Sequence, residues 1–233
     1  RKLRQAFVPE EGYVFVDADY SQIELRLLAH LSEDETFIQA FKDGTDIHQL
    51  TASKVFHIPY DQVTKDQRRS AKAVIFGIVY GISPFGLSRD LKIPQKEAKG
   101  YIDSFFVQYP RVEAYLKECV TFAKDEGYSL TLLNRKRLIP ELKSSNFAMR
   151  SFGERIAMNT PIQGGAADII KMAMIHVADR LKSEQLKSRL VLQVHDELLI
   201  ETALDELDHV KHLLVEEMEN AIQGMKVPLQ AEC

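Results

Sequence analysis

The sequence is short of several things. Cysteine occurs only twice in 233 residues, at Cys119 and Cys233. Two distant thiols cannot form a disulfide scaffold, so a reducing cytoplasm is the expected compartment. No run of ~18 uncharged apolar residues occurs, which excludes a helical membrane span, and no membrane partner is expected. Net positive charge is also missing: 30 Lys and Arg stand against 34 Asp and Glu, for a net charge of −4. Taken as a sum, that speaks against nucleic acid, whose binders usually carry a basic excess. There is no G-x-S-x-G elbow, no C-x-x-C pair and no dinucleotide fingerprint. The chain opens on Arg1 with no signal-like stretch after it and reads as an excerpt of something longer.

What is present is a chain able to bury a core, 45% hydrophobic and 27% charged. Its charge is segregated. Arg1, Lys2 and Arg4 open it without an acid, and residues 61–100 and 128–155 each carry net +4. Residues 201–233 carry net −6. Solvated helix faces account for this, and so does a basic track for a polyanion with the acid placed elsewhere.

The periodicity places strands near both ends. Tyr13–Asp19 reads as a buried strand, and Arg189–Val194 and Glu197–Glu201 as two strands around a His195-Asp196 turn. A helix over about 205–223 and a short strand near Val227–Leu229 close the chain. Between the ends the pattern is helical. Helices start at Asp34 and Asp46, a longer one spans Thr64–Tyr80, and Phe147–Leu181 is helical with a break at Asn159-Thr-Pro161. A small hairpin joins Tyr128–Thr131 to Arg137–Ile139. The expected fold class is α+β: an antiparallel terminal sheet with packed helices, and a mainly helical lobe between.

Three clusters carry candidate chemistry. Asp17 and Asp19 share a strand face, Asp196 sits at a hairpin tip, and Glu197 follows it. Carboxylates converging from a strand end and a hairpin tip can hold hard divalent cations, although Asp is common at such places for structural reasons alone. Arg68, Lys72, Phe76 and Tyr80 recur every four residues, drifting only ~40° per step around a helix. That stripe suits a triphosphate, sugar and base, while spacing alone favours an ordinary amphipathic helix. Arg150, Arg155, Asn159 and Gln163 flank Pro161 and could reach a nucleic-acid backbone, or simply decorate a kinked helix.

Together these stretches resemble the polymerase domain of the bacterial DNA polymerase I family, the A family of DNA-dependent DNA polymerases. Asp19-Tyr-Ser-Gln-Ile-Glu-Leu-Arg26 is similar to the family's first motif, and Arg68 through Gly81 to its second. Val194-His-Asp-Glu197 is similar to the third, and Asn159-Thr-Pro-Ile-Gln-Gly164 to a stretch before it. The motifs come in family order and the likeness spans the chain.

The resemblance implies palm at residues 1–45, fingers at 46–155 and palm again at 156–233. It implies two Mg²⁺ ions held by Asp19, Asp196 and the Tyr20 carbonyl, with Glu197 in support. It implies Arg68 and Lys72 on the β and γ phosphates, with Lys72 as proton donor, and His48 beside them. Phe76 is expected on the incoming sugar and base, Tyr80 near the template base, and Glu24 against a ribose 2′-hydroxyl. Arg155, Asn159, Gln163 and His195 are expected along primer–template DNA. The implied parent is a monomer that adds dNTPs to a primer 3′-hydroxyl. Ile75 departs from the Asn usual in the family and by helical angle lies close to Arg68. One rival stays open, that this segment alone is a non-catalytic nucleotide- or DNA-binding module. A two-metal nuclease would have no use for the cationic–aromatic stripe.

Overall fold

The computed structural model describes residues 6–233, so the basic opening at Arg1, Lys2 and Arg4 lies outside the described residues. Two compact units are formed. Residues through Leu25 join Ala166–Cys233 in one, and Arg26–Gly165 make the other. The palm and fingers bounds that the resemblance implies are a division by role, whereas these units are a division by contact. Unit membership follows contacts, which no local pattern encodes.

The first unit is built on a four-stranded antiparallel sheet. Its strands are β1 (Tyr13–Tyr20), β4 (Arg189–Val194), β5 (Glu197–Ala203) and β6 (Ala231–Glu232), in the order β4-β5-β1-β6. Alternation along β1 buries Val16, Ala18 and Tyr20 and leaves Asp17 and Asp19 exposed on the other face. Helix α9 (Leu207–Glu219) contributes the buried Val210, Leu213, Leu214 and Met218. The closing strand lies two residues beyond the expected Val227–Leu229. Val227 and Leu229 are buried, but Pro228 between them has no N–H for a ladder, so pairing starts at Ala231.

The second unit is mainly helical. It holds α2 (Glu35–Lys42), α3 (Ile47–Val55), α4 (Lys65–Val79), α5 (Pro84–Leu91), α6 (Gln95–Gln108) and α7 (Pro110–Glu126), with a small hairpin of β2 (Tyr128–Leu130) and β3 (Lys136–Leu138). Caps set the helix starts. Asp34 accepts from Phe37 N–H, Asp46 from His48 and Gln49 N–H, and Thr64 from Gln67 N–H in a reciprocal capping box. On α4 the buried face is Ala71, Val74, Ile75, Ile78 and Val79. Ile75 is fully buried there, so the family departure is an apolar side chain used for packing.

Two helices run across the unit division, α1 (Ile23–Ser32) and α8 (Phe147–Ser183). The expected break at Asn159-Thr-Pro161 does not interrupt α8, which passes through Pro161 unbroken. A proline removes the N–H that would meet the carbonyl four residues back, here that of Ala157. The Ser129 hydroxyl on β2 donates to that carbonyl at 3.4 Å, and Thr160 Oγ1 donates to Ile156 O at 2.7 Å. The hairpin thus satisfies what the proline frees.

Candidate functional site

In the first unit, carboxylates gather at one end of the sheet. Asp19 pairs directly with Glu197 across β1 and β5, so their side chains leave the same face. The β4–β5 turn is the two residues His195-Asp196, with His195 held at φ +58°, a conformation costly for a non-glycine residue. Backbone bonds fix that turn. Tyr20 N–H donates to Asp196 O at 3.2 Å, and Gln193 Nε2 donates to His195 O at 2.7 Å. Tyr20 is anchored in turn by its buried hydroxyl, which donates to Met218 O at 2.5 Å, and burial pushes its phenol upward.

The Asp19 and Asp196 carboxyls face each other closely enough for the Asp196 charge to act on Asp19. Asp19 is pushed up to about 6 by burial first, then by the charge and hydrogen bond of Asp196, then by Glu197 and Asp17. The residue as a whole keeps an exposed surface, so the facing carboxylates are the firmer cause. Among the described residues no group of three or more His, Cys, Asp and Glu side chains is set as a metal cluster. The Asp19–Asp196 pair nevertheless fits a divalent cation. Its donors are hard oxygens, and the repulsion between its two like charges is what a cation relieves. Glu24 lies in the first turn of α1, half-buried.

The second unit gathers the nucleotide candidates. Arg68, Lys72 and Phe76 run along α4 beside its buried face, and Tyr80 caps its C-terminal end. The Phe76 and Tyr80 rings lie 6.1 Å apart at 30°, and Lys72 Nζ stands 5.7 Å from the Phe76 centroid. His48 joins them from α3, its ring centroid 6.1 Å from that of Phe76. Only 3% of His48 is exposed, and its Nδ1 is buried without a hydrogen-bond partner. Burial and the neighbouring Arg68 charge push its pKa down to about 4, Lys72 adding to this and Asp46 opposing it, so the ring is neutral at pH 7.

Asp46, which the sequence showed only as a helix start, holds this cluster together. Its Oδ1 accepts from His48 and Gln49 N–H at 3.0 and 3.1 Å, and its Oδ2 accepts from Arg68 Nε at 2.7 Å. Burial raises its carboxyl, but the Arg68 and backbone hydrogen bonds outweigh that and hold it below the usual range.

Of the duplex candidates on α8, Arg155 comes against the end of α4. Gly81 has φ +69°, and a side chain there would meet Met158 Cε at 2.5 Å and Arg155 Cγ at 2.8 Å. Phe76, Tyr80, Gly81 and Arg155 line one pocket of about 540 Å³, with Asp90 from α5 on its wall. Asp90 carried no signal in the sequence, because only folding brings α5 to this wall. Asn159 and Gln163 follow Arg155 at one and two turns along α8. Asn159 Oδ1 is buried without a partner, and Gln163 is exposed. His195, at its hairpin tip in the first unit, is exposed.

The chain is 57% identical over 230 residues to the DNA polymerase I of Caldicellulosiruptor bescii and 55% identical over 233 residues to that of Bacillus subtilis. These alignments take in 99% and 100% of the chain but 27% and 26% of the relatives, so it spans about a quarter of their length. A solved structure, the POL domain of Pol1 from M. smegmatis in complex with DNA primer-template and dNTP, matches 99% of the chain and 41% of its own at TM-score 0.94 and 46% identity. The model of DNA polymerase family A matches residues 1–233, and the chain belongs to that family.

Proposed function

We propose that the chain is the palm-and-fingers portion of a template-directed DNA polymerase, with palm at 1–45 and 156–233 and fingers at 46–155. The observation that carries this is the Asp19–Asp196 carboxyl pair within a chain matched along its whole length by one polymerase family. Asp19, Asp196 and the Tyr20 carbonyl would hold two Mg²⁺ ions, with Glu197 in support. The chemistry these ions supply when bound is a lowered pKa for the primer 3′-hydroxyl and charge neutralisation on the departing pyrophosphate.

The chain's own residues supply positioning and electrostatics. Arg68 and Lys72 hold the β and γ phosphates, and the Lys72 ammonium donates a proton to the leaving pyrophosphate oxygen. The neutral His48 ring, with an unpartnered nitrogen, hydrogen-bonds the same phosphates. Phe76 covers the sugar and base, and Tyr80 stacks near the templating base and moves as the fingers close. Glu24 occupies the space a ribose 2′-hydroxyl would need. Arg155, Asn159, Gln163 and His195 follow the primer–template duplex.

The parent enzyme acts as a monomer in the cytoplasm, in replication and repair. No described helix is long and apolar enough to cross a membrane. The test is primer extension with the complete polymerase and with the isolated chain, using Asp196→Ala as control. Extension by the complete enzyme, reduced at least about a thousandfold by the substitution, is expected. DNA degradation in place of extension would overturn the reading. Because the chain spans only about a quarter of its relatives, a second reading applies to the isolated piece: it binds dNTP and DNA without extending a primer.

A further inference from the structure

The grip of Asp46 on Arg68 is not accounted for by the proposed chemistry. An acid beside a phosphate-binding cation works against the ligand by charge alone. Its geometry offers a reason for it to be there. Oδ1 is occupied by the first turn of α3, and Oδ2 takes Arg68 through Nε, the inner nitrogen of the guanidinium. The two terminal nitrogens of Arg68 bond to no other described residue, and its side chain is 43% exposed. A guanidinium held by its inner edge on a capped helix end has lost much of its rotamer freedom before any ligand arrives. The same carboxylate sets the helical turn that carries His48.

We propose that Asp46 is a positioning residue for nucleotide binding: it fixes the Arg68 guanidinium by Nε so that its terminal nitrogens are presented to the incoming triphosphate, in register with His48. This rests on the reading of Arg68 as a phosphate ligand. It predicts that the ordering gained outweighs the charge lost, so removing the negative charge weakens nucleotide binding.

The test uses the complete polymerase and single-nucleotide insertion kinetics. Asp46→Asn keeps a side-chain oxygen for the helix cap but offers Arg68 Nε a donor instead of an acceptor. Asp46→Ser keeps a cap by another side chain. Both variants should melt close to the wild type, raise KM for dNTP roughly tenfold and leave kcat and duplex affinity within about twofold. Added to Arg68→Ala, either should change KM no further, because the residue it positions is gone. A KM unchanged or lowered by Asp46→Asn, while Arg68→Ala raises it, overturns the positioning role and leaves the phosphate reading standing. Effects that multiply in the double variant also overturn it, since Asp46 would then act without Arg68. An unchanged KM in Arg68→Ala removes the phosphate reading and this role with it.

Discussion

The two units assemble charge of opposite sign by different means. In the first, antiparallel register and a strained two-residue turn bring Asp19, Asp196 and Glu197 to one end of a sheet. In the second, a four-residue stride along α4 and the capped start of α3 line up Arg68, Lys72 and His48. In each, one titratable group is driven toward its uncharged form. Asp19 is pushed up to about 6, and His48 down to about 4. A folded protein tolerates such crowding only when backbone geometry enforces it. On the proposed reading, a ligand of opposite charge would relieve it, a cation for the sheet and a polyanion for the helices. The difference lies in rigidity. The carboxylates hang from a paired ladder, whereas the cations sit on long side chains that need a neighbour such as Asp46 to hold them.

Lys72 separates the two units most clearly. If the helical cluster serves the triphosphate and not the duplex, Lys72→Ala in the complete polymerase should cut kcat/KM for dNTP by roughly 10²–10³, leaving primer–template affinity within about twofold. Equal losses in both would mean that the substitution disturbs the fold or that the cluster serves DNA at large. A smaller effect is expected on the acidic side. Glu24 belongs to the carboxylate unit by sequence and contacts, yet its proposed work is steric exclusion. Glu24→Ala should therefore lower the preference for dNTP over rNTP on the order of tenfold or more while insertion of the correct dNTP persists. A collapse of dNTP insertion with no change in sugar preference would move Glu24 into the metal-binding group.

These contrasts were largely legible in the sequence where a local pattern encodes them. Alternation set the exposed face of β1, and the spacing of Arg68, Lys72, Phe76 and Tyr80 set the α4 stripe. Features that depend on a distant partner were not legible. Pro161 reads as a break because the donor that rescues Ala157 O is Ser129, on a separate hairpin. Val227 and Leu229 read as a strand because they are apolar, but a strand also needs donors, which Pro228 withholds. Asp46 reads as a helix cap, and its second oxygen finds Arg68 only when α3 packs against α4. The division at 25/26 and 165/166 falls inside α1 and α8, where composition does not change.

The response to pH sets the two units directly against each other, because the two shifts oppose each other over the same range. Asp19 binds its proton more tightly when folded than the ordinary carboxyl value of 3.8 allows. Its contribution is full below about pH 4 and is lost as pH rises through about 6. His48 behaves in the opposite way. Its folded pKa of about 4 lies below the ordinary imidazole value of 6.5, so its contribution is full above about 6.5 and is lost as pH falls toward 4. In metal-free protein the two slopes offset between pH 4 and 6, and removing one should expose the other. Relative to wild type, Asp19→Asn should gain thermal stability on going from pH 4.5 to 6.5, on the order of a few degrees. His48→Gln should gain in the reverse direction. Added Mg²⁺ at pH 7 should raise the wild-type melting temperature more than that of Asp19→Asn, because above about pH 6 the cation would offset the repulsion between two ionised carboxylates. Melting curves at the two pH values decide the matter. Shifts of the same sign in both variants would mean that the two clusters do not carry opposite electrostatic strain.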